Sequence, residues 1–263
     1  MPVWRCLACG ACFVFPVPGA ADLRERYARE YASATRPGHL DETLLEEMER
    51  RASIVTRLIG RAPGRLLDVG CGDGRFLDAA KRFGWRTLGS DIAHPAATLV
   101  SSMHLVLVGE LEAVRERPVF DAVTFWDVLE HLPNPRLALT QARARLQEGG
   151  LVAVTMPNVL GTASLFVGPR WAYYDFARYG HIHHLAPKHI RLLFRATGFD
   201  PIYGETRGSL DLRDLSVMLG LASPSALANW LLDKASGLIA RIAQPVGFGN
   251  TLLMVARKRR SSH

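Results

Sequence analysis

The apolar segment Leu66-Leu67-Asp68-Val69 runs directly into Gly70-Cys71-Gly72-Asp73-Gly74, and Arg75-Phe76 then opens an amphipathic stretch. Three glycines within five residues at a strand end let the chain turn sharply and bring bare backbone close to a ligand. In an open α/β sheet, the carboxyl ends of the strands are where ligands bind. The spacing narrows the ligand further. A dinucleotide fingerprint needs Gly or Ala three residues after the second glycine, but that position is Arg75, and the third glycine arrives one residue early at Gly74. No Gly-Lys-Ser or Gly-Lys-Thr follows, which excludes a phosphate loop. Asp91, at the end of the next apolar run, can accept hydrogen bonds from two ribose hydroxyls, and the adjacent Ile92 can pack on an adenine face. The ligand these features describe is a nucleoside without a pyrophosphate.

From Arg65 onward, short apolar runs alternate with amphipathic stretches, the pattern of βαβ units in a mainly parallel sheet. Strands are expected near 65–70, 86–90, 105–108, 120–126 and 151–156, with helices at about 74–83, 95–102 and 135–147. A helix at about 41–59 precedes them, closed by Pro63-Gly64. The C-terminal part reads as a helix at 187–197 ending at Gly198, a strand near 200–205, a helical insertion at about 207–245 and a last strand at 251–256. Residues 1–38 read as an irregular Cys-containing extension around a short charged helix, and 39–263 as one domain.

With 263 residues, 48% of them hydrophobic and 22% charged, the chain can bury a large core, which excludes a disordered protein. The net charge of +7 comes from 32 basic residues of which four are lysine, an Arg-rich background that argues little for nucleic acid. The closing Arg257-Lys258-Arg259-Arg260 reads as a solvated end. Residues 215–232 lack charge but are broken by Gly220, Pro224 and Asn229, so they read as a buried or interfacial helix pair rather than a span, with peripheral membrane contact as a lesser reading. The first 15 residues carry no secretory pattern, and the cytoplasm is the expected compartment.

Five motifs in order resemble the class I S-adenosyl-L-methionine (SAM)-dependent methyltransferases. They are the loop from Asp68 to Gly74, Asp91 after the second strand, Gly109-Glu110-Leu111-Glu112 after the third, the run from Phe120 through Trp126-Asp127 to Glu130-His131-Leu132 at the fourth, and Leu146-Gln147-Glu148-Gly149-Gly150 before the fifth. The resemblance covers about residues 40–205 and the last strand. It implies an α/β, Rossmann-like, mainly parallel sheet of seven strands with the last antiparallel and helices on both faces. It also implies a SAM site in which Gly70, Cys71, Gly72 and Gly74 line the methionine and ribose. Asp68 would hold the loop and the amino end, and Asp91 and Ile92 the ribose and adenine. Glu110 and Leu111 would lie beside the adenine, and Trp126 and Asp127 would border the methionine. The family often carries Asp where Glu110 stands.

Methyl transfer from a sulfonium is an in-line displacement that needs a positioned acceptor, excluded water and, for a hydroxyl acceptor, a group to take its proton. His131, directly after the fourth strand, and His181 and His184, in a segment preceded by Trp171, Tyr173 and Tyr174, are the candidate bases. No carboxylate pattern beside the histidine run completes a metal site there. That segment resembles a subgroup with a His-x-x-His-Phe-Ser/Thr element, here ending in Leu185-Ala186 instead. Cys6 and Cys9, followed by Gly10, resemble the second knuckle of a zinc ribbon found ahead of the domain in that subgroup. A tetrahedral zinc needs four ligands and the first pair is missing, so zinc is a minor reading, explained by a start upstream of Met1 or a degenerate ribbon with Cys12 as packing. The expected activity is SAM-dependent methylation of a small-molecule acceptor, with a hydroxyl oxygen of a sugar, lipid-linked or secondary-metabolite substrate as the expected target. The alternatives are a tRNA or other RNA methyltransferase and a non-catalytic SAM-binding protein. The sequence leaves the oligomeric state open.

Overall fold

The computed structural model describes residues 1–19, 22, 23, 25, 26, 42–92, 104–109, 111, 114, 119–210 and 226–260. Glu110 and the expected helix at 95–102 lie outside the described residues, as does most of the first half of the insertion.

A seven-stranded sheet forms the centre. Its strands are β3 (Arg65–Val69), β4 (Arg86–Asp91), β5 (Val106–Val108), β6 (Phe120–Trp126), β7 (Leu146–Pro157), β9 (Phe199–Arg207) and β10 (Thr251–Lys258). They stand in the order β5-β4-β3-β6-β7-β10-β9. β10 runs antiparallel to both its neighbours, and the pairings from β5 to β7 are parallel. Such strands, covered on both sides, are mostly apolar, and all seven residues of β6 are buried, Asp121 and Thr124 with polar partners.

Helices cover both faces. α1 (Glu42–Ile59) and α2 (Arg75–Arg82) pack on one side, where Met48, Ala52, Val55 and Ile59 recur at helical spacing and meet Phe76, Ala80 and the sheet. α3 (Pro135–Arg145) covers the other face through Ala138, Leu139 and Ala142; it starts with Asn134 Oδ1 accepting from Leu137 N–H at 2.9 Å and Pro135 in the first turn. The same face receives Ile190 and Phe194 of α6 (Pro187–Ala196). Between β7 and α6 lie two short helices, α4 (Thr162–Val167) and α5 (Phe176–Tyr179), and α7 (Ala226–Ala243) lies between β9 and β10. None of the described helices is long and apolar enough to cross a membrane.

The structure corrects three expectations. α3 stops at Arg145 and β7 starts at once, because fully buried Leu146 pairs with Phe120 and Gly149 takes a positive φ of 72° that a helix would not tolerate. The basic tail is solvated only in part: Arg259 and Arg260 are exposed, whereas Arg257 and Lys258 are drawn into the fold. Arg257 donates to the carbonyls of Gly149 and Leu58, Lys258 is buried and donates to Leu146 O, and Arg259 pairs with Asp200 at 2.6 Å. These heads engage the end of the sheet opposite the glycine loop, since Arg257 sits across from Leu151 at the start of β7's pairing with β10.

The N-terminal segment is also more ordered than read. β1 (Val3–Arg5) and β2 (Cys12–Val14) form a hairpin, and β2 pairs with β8 (His183–His184), matching Cys12 with His184 and Phe13 with His183. His189 Nδ1 accepts from Ala186 N–H, which leaves its protonated Nε2 to donate to Cys9 O at 2.9 Å.

Fully buried Asn158, just past β7, fastens the turn into β10. Its amide nitrogen donates to Gly247 O and Gly249 O, its backbone N–H to Asn250 O, and its side-chain oxygen accepts from Leu160 N–H. Asn158→Ala leaves two inward carbonyls unpaired and should destabilise the fold by roughly 2–3 kcal/mol, read as a lower denaturant midpoint at unchanged m-value.

Candidate active site

The strand order reverses between β3 and β6, and the loops leaving their carboxyl ends form the crevice where open α/β sheets bind ligands. Gly70 has φ 71°, and a Cβ there would lie 2.5 Å from Val128 Cγ2, so only glycine lets the loop after β6 close against the loop after β3. Gly72 has φ 51°, and among the described residues a Cβ on it would meet nothing within 4 Å, so they leave this part of the loop open. Its N–H donates to Asp91 Oδ2 at 2.9 Å, which fixes the carboxylate at the end of β4 beside the open loop. Gly74, also at positive φ, is the N-cap of α2. Ile92 is 38% exposed, an apolar side chain left uncovered next to Asp91.

Asp68 is buried under the loop and accepts from Thr124 Oγ1 at 2.6 Å. Burial pushes its carboxyl up to about 7; the Thr124 hydroxyl and the Arg51 charge oppose the shift, and Asp91 adds to it. Cys71 points inward, its Sγ filling the space a side chain at Gly89 would need, and burial raises its thiol pKa. Leu111 lies in the main core, so its side chain belongs to packing and only its backbone remains for a ligand.

At the end of β6, Trp126 packs edge-on to Phe76 with centroids 4.9 Å apart, and its buried Nε1 has no hydrogen-bond partner among the described residues. Asp127 adopts φ 57°, uncommon for a residue with a side chain, and its N–H is held by Thr155. Arg51 of α1 reaches it at 3.2 Å, lies over the Trp126 ring and pairs with Glu47 at 3.0 Å. Burial alone would raise the Glu47 carboxyl; Arg50 and Arg51 override it and hold it down at about 2. Arg51 belongs to none of the sequence motifs; the signal the sequence holds for it is the Glu47-to-Arg51 spacing of four on one helix face.

The histidines converge from two chain segments. A 3-10 turn, Leu129–His131, follows β6 directly, and Ile182 N–H donates to Glu130 O at 2.8 Å, which ties this turn to the segment before β8. His131 Nδ1 lies 3.2 Å from Gly180 O, and the rings of His131 and His181 meet edge to face at 4.6 Å. Tyr173 stacks on His181 at 5.1 Å. His184 is 6.3 Å from His181 and packs edge-on against Tyr174, with its Nε2 buried and unpartnered among the described residues.

Burial depresses all three imidazoles: His131 to about 4 despite the Gly180 carbonyl and Asp127, His181 to about 3 with its two histidine neighbours adding to the effect, and His184 to about 4. Glu130 joins them from the first segment, supplying the carboxylate that the local sequence around His181 lacks. It is 1% exposed, its carboxylate oxygens meet no other side chain in a hydrogen bond among the described residues, and burial together with Asp127 raises its pKa well above the usual range, against its own backbone N–H and the Arg51 charge.

Cys6 and Cys9 lie in the turn between β1 and β2, closed by Gly10 N–H to Cys6 O at 2.8 Å. The Cys9 and Ala8 backbone N–H groups lower the Cys6 thiol pKa. Among the described residues the cysteines do not gather into a three-ligand metal set.

Residues 10–203 match the family model described as a methyltransferase domain. A ubiquinone biosynthesis O-methyltransferase of Cereibacter sphaeroides is 30% identical over 189 residues, covering 60% of this chain and 72% of that protein. Among solved structures, a SAM-dependent methyltransferase from Archaeoglobus fulgidus superposes with TM-score 0.58 at 19% identity, over 91% of this chain and all of that one. The Burkholderia thailandensis 1,6-didemethyltoxoflavin-N1-methyltransferase, solved with its substrate and S-adenosylhomocysteine (SAH), superposes with TM-score 0.60 at 16% identity, over 97% of this chain and 99% of that one. At those identities the two structures speak for the fold. The family match spans most of the chain, the sheet carries a glycine loop suited to a nucleoside without pyrophosphate, and the chain thus belongs to the methyltransferase-domain family and is a SAM-dependent methyltransferase.

Proposed function

We propose that the chain transfers the SAM methyl group to a hydroxyl oxygen of a small-molecule acceptor, such as a sugar, a lipid-linked compound or a secondary metabolite. The observation that carries this reading is the junction of an open glycine loop and a polar, buried Glu130–His131–His181 cluster at the ends of adjacent strands. O-methylation is further supported by the name of the Cereibacter sphaeroides relative.

In this reading Gly70, Gly72 and Gly74 receive the methionine and ribose of SAM, Asp91 accepts the ribose hydroxyls and Ile92 covers the adenine. Glu110 is proposed beside the adenine, although it lies outside the described residues. Trp126 and Asp127 border the methionine, with the Asp127 carboxylate set by Arg51. The sulfonium loses its methyl group, and with it its positive charge, as the acceptor oxygen forms its new bond and gives up its proton. His131, His181 and His184 supply the imidazole nitrogens at that end, and the closing of the two loops around Gly70 excludes water.

Incubation with labelled SAM and a panel of sugars, phenols and lipid-linked alcohols tests the reaction, with a methylated oxygen as the expected product. Asp91→Ala should weaken SAH binding about 10- to 100-fold by calorimetry. His131→Ala and His181→Ala should each lower kcat by about 100-fold or more while SAH affinity holds; normal turnover in both removes the histidines from the chemistry.

Asp68 adds a pH test. With its carboxyl at about 7, the free protein carries it largely protonated at pH 6, whereas the cofactor's ammonium favours the ionised form. Binding at pH 6 should therefore release a proton, and affinity should rise as pH climbs toward 7. In Asp68→Asn that proton release, measured by calorimetry in buffers of different ionisation enthalpy, should vanish.

A further inference from the structure

A cavity of about 670 Å³ lies beside the N-terminal hairpin, away from the crevice between β3 and β6. That volume falls within the range of roughly 300–1,000 Å³ typical of small-molecule sites. The hairpin supplies one wall through Val3 and Trp4, and the chain leaving β7 supplies the other through Val159, Leu160 and Leu165. The fold fixes the two walls against each other: β2 pairs with β8, Val159 N–H donates to Leu185 O at 3.0 Å, and His189 Nε2 holds the Cys9 carbonyl. Trp4 is 56% exposed and Leu165 54% exposed, so apolar surface faces water on both sides of the opening.

The polar groups of the cavity are few and converge. The Tyr174 hydroxyl meets the side chains of buried Ser164 and of Cys12, and the charge of Arg5 bears on it. At the Gly10 edge, Arg5 Nη2 and Lys188 Nζ each lie 3.6 Å from the point where a Cβ on Gly10 would sit. Gly10, at φ 79°, keeps that point open, and two cations from distant segments meet around it. Among the described residues neither cation pairs with a carboxylate, and no acidic side chain lines the cavity. Like charges brought together in this way are relieved by an anion between them.

We propose that this cavity binds an amphipathic small-molecule anion, with its apolar chain or ring between the hairpin and the segment after β7 and its acidic head at Gly10 between Arg5 and Lys188. The guanidinium offers forked donors to a carboxylate or a phosphate, and the ammonium adds a point charge. The Ser164 and Tyr174 hydroxyls stand where a polar substituent of the ligand could be met. None of the described residues lining the cavity belongs to the glycine loop or to the Glu130–His131–His181 cluster, and Tyr174 is the lining residue that packs against His184. The site therefore stands independently of the acceptor assigned above.

Calorimetry of the full chain with dodecanoate, dodecyl phosphate and dodecanol, with and without saturating SAH, tests the site. One dodecanoate or one dodecyl phosphate per chain should bind with an affinity that SAH leaves unchanged, and the tighter of the two identifies the preferred head. Dodecanol should bind about 10-fold more weakly, and octanoate should fall below dodecanoate by about 10-fold or more as methylenes leave apolar contact. The Arg5→Gln/Lys188→Gln variant should lose about 10-fold for both anions and leave dodecanol unchanged, whereas Leu165→Asp, at an exposed position, should weaken all three ligands. No saturable binding of either anion, equal affinity for dodecanol, anion affinity indifferent to the Arg5 and Lys188 substitutions, or displacement by SAH would each overturn the proposal. Binding of the chain to neutral phosphatidylcholine vesicles without saturable uptake of either anion would assign the apolar rim to a bilayer and overturn it as well.

Discussion

The contact between Val128 and the bare α-carbon of Gly70 is the constraint on which the site depends. β3 and β6 are neighbours in a fully covered parallel sheet, and the loops that leave them must pass one another at the point where the strand order reverses. A side chain at Gly70 would collide with Val128, so the loop after β6 would stand off, and Trp126, Asp127 and Glu130 would move with it. Close packing transmits such a displacement instead of absorbing it. The glycine thus sets the separation between the glycine loop and the histidine end of the crevice.

The electrostatics follow the same geometry. Asp68, Asp91, Asp127 and Glu130 crowd one end of the sheet, and the Arg51 guanidinium bears on three of them: its charge opposes the upward shifts of Asp68 and Glu130, and it pairs with Asp127 directly. Its position is fixed from behind by Glu47 and from below by the Trp126 ring. Acidic groups gathered around a crevice are electrostatically suited to the sulfonium and ammonium proposed to bind there, and the Arg51 charge from α1 offsets part of their mutual repulsion.

Much of this was legible in the sequence because the relevant signals are local. The glycine loop, Asp91 and the alternation of strands and helices are patterns within windows of 10 or 20 residues, and the strands from β3 to β6 fall close to where those patterns put them. What escaped depends on contacts between distant segments. Leu146 reads as the end of a helix until Phe120 is placed beside it. The carboxylate missing from the histidine run is Glu130, 51 residues before His181 and held beside it by contacts between the two segments. The basic tail looks solvated because its acceptors, the carbonyls of Leu58, Leu146 and Gly149, are backbone groups that no side-chain pattern announces.

The N-terminal hairpin is part of the frame of the histidine segment. Because β2 pairs with His183 and His184 and the Cys9 carbonyl is held by His189, the free energy of forming the hairpin is shared with the segment that carries His181. A change that loosens the turn between β1 and β2 therefore takes backbone partners from His183 and His184 and the Nε2 partner from His189, and the cost of positioning the histidine end falls on the remaining contacts.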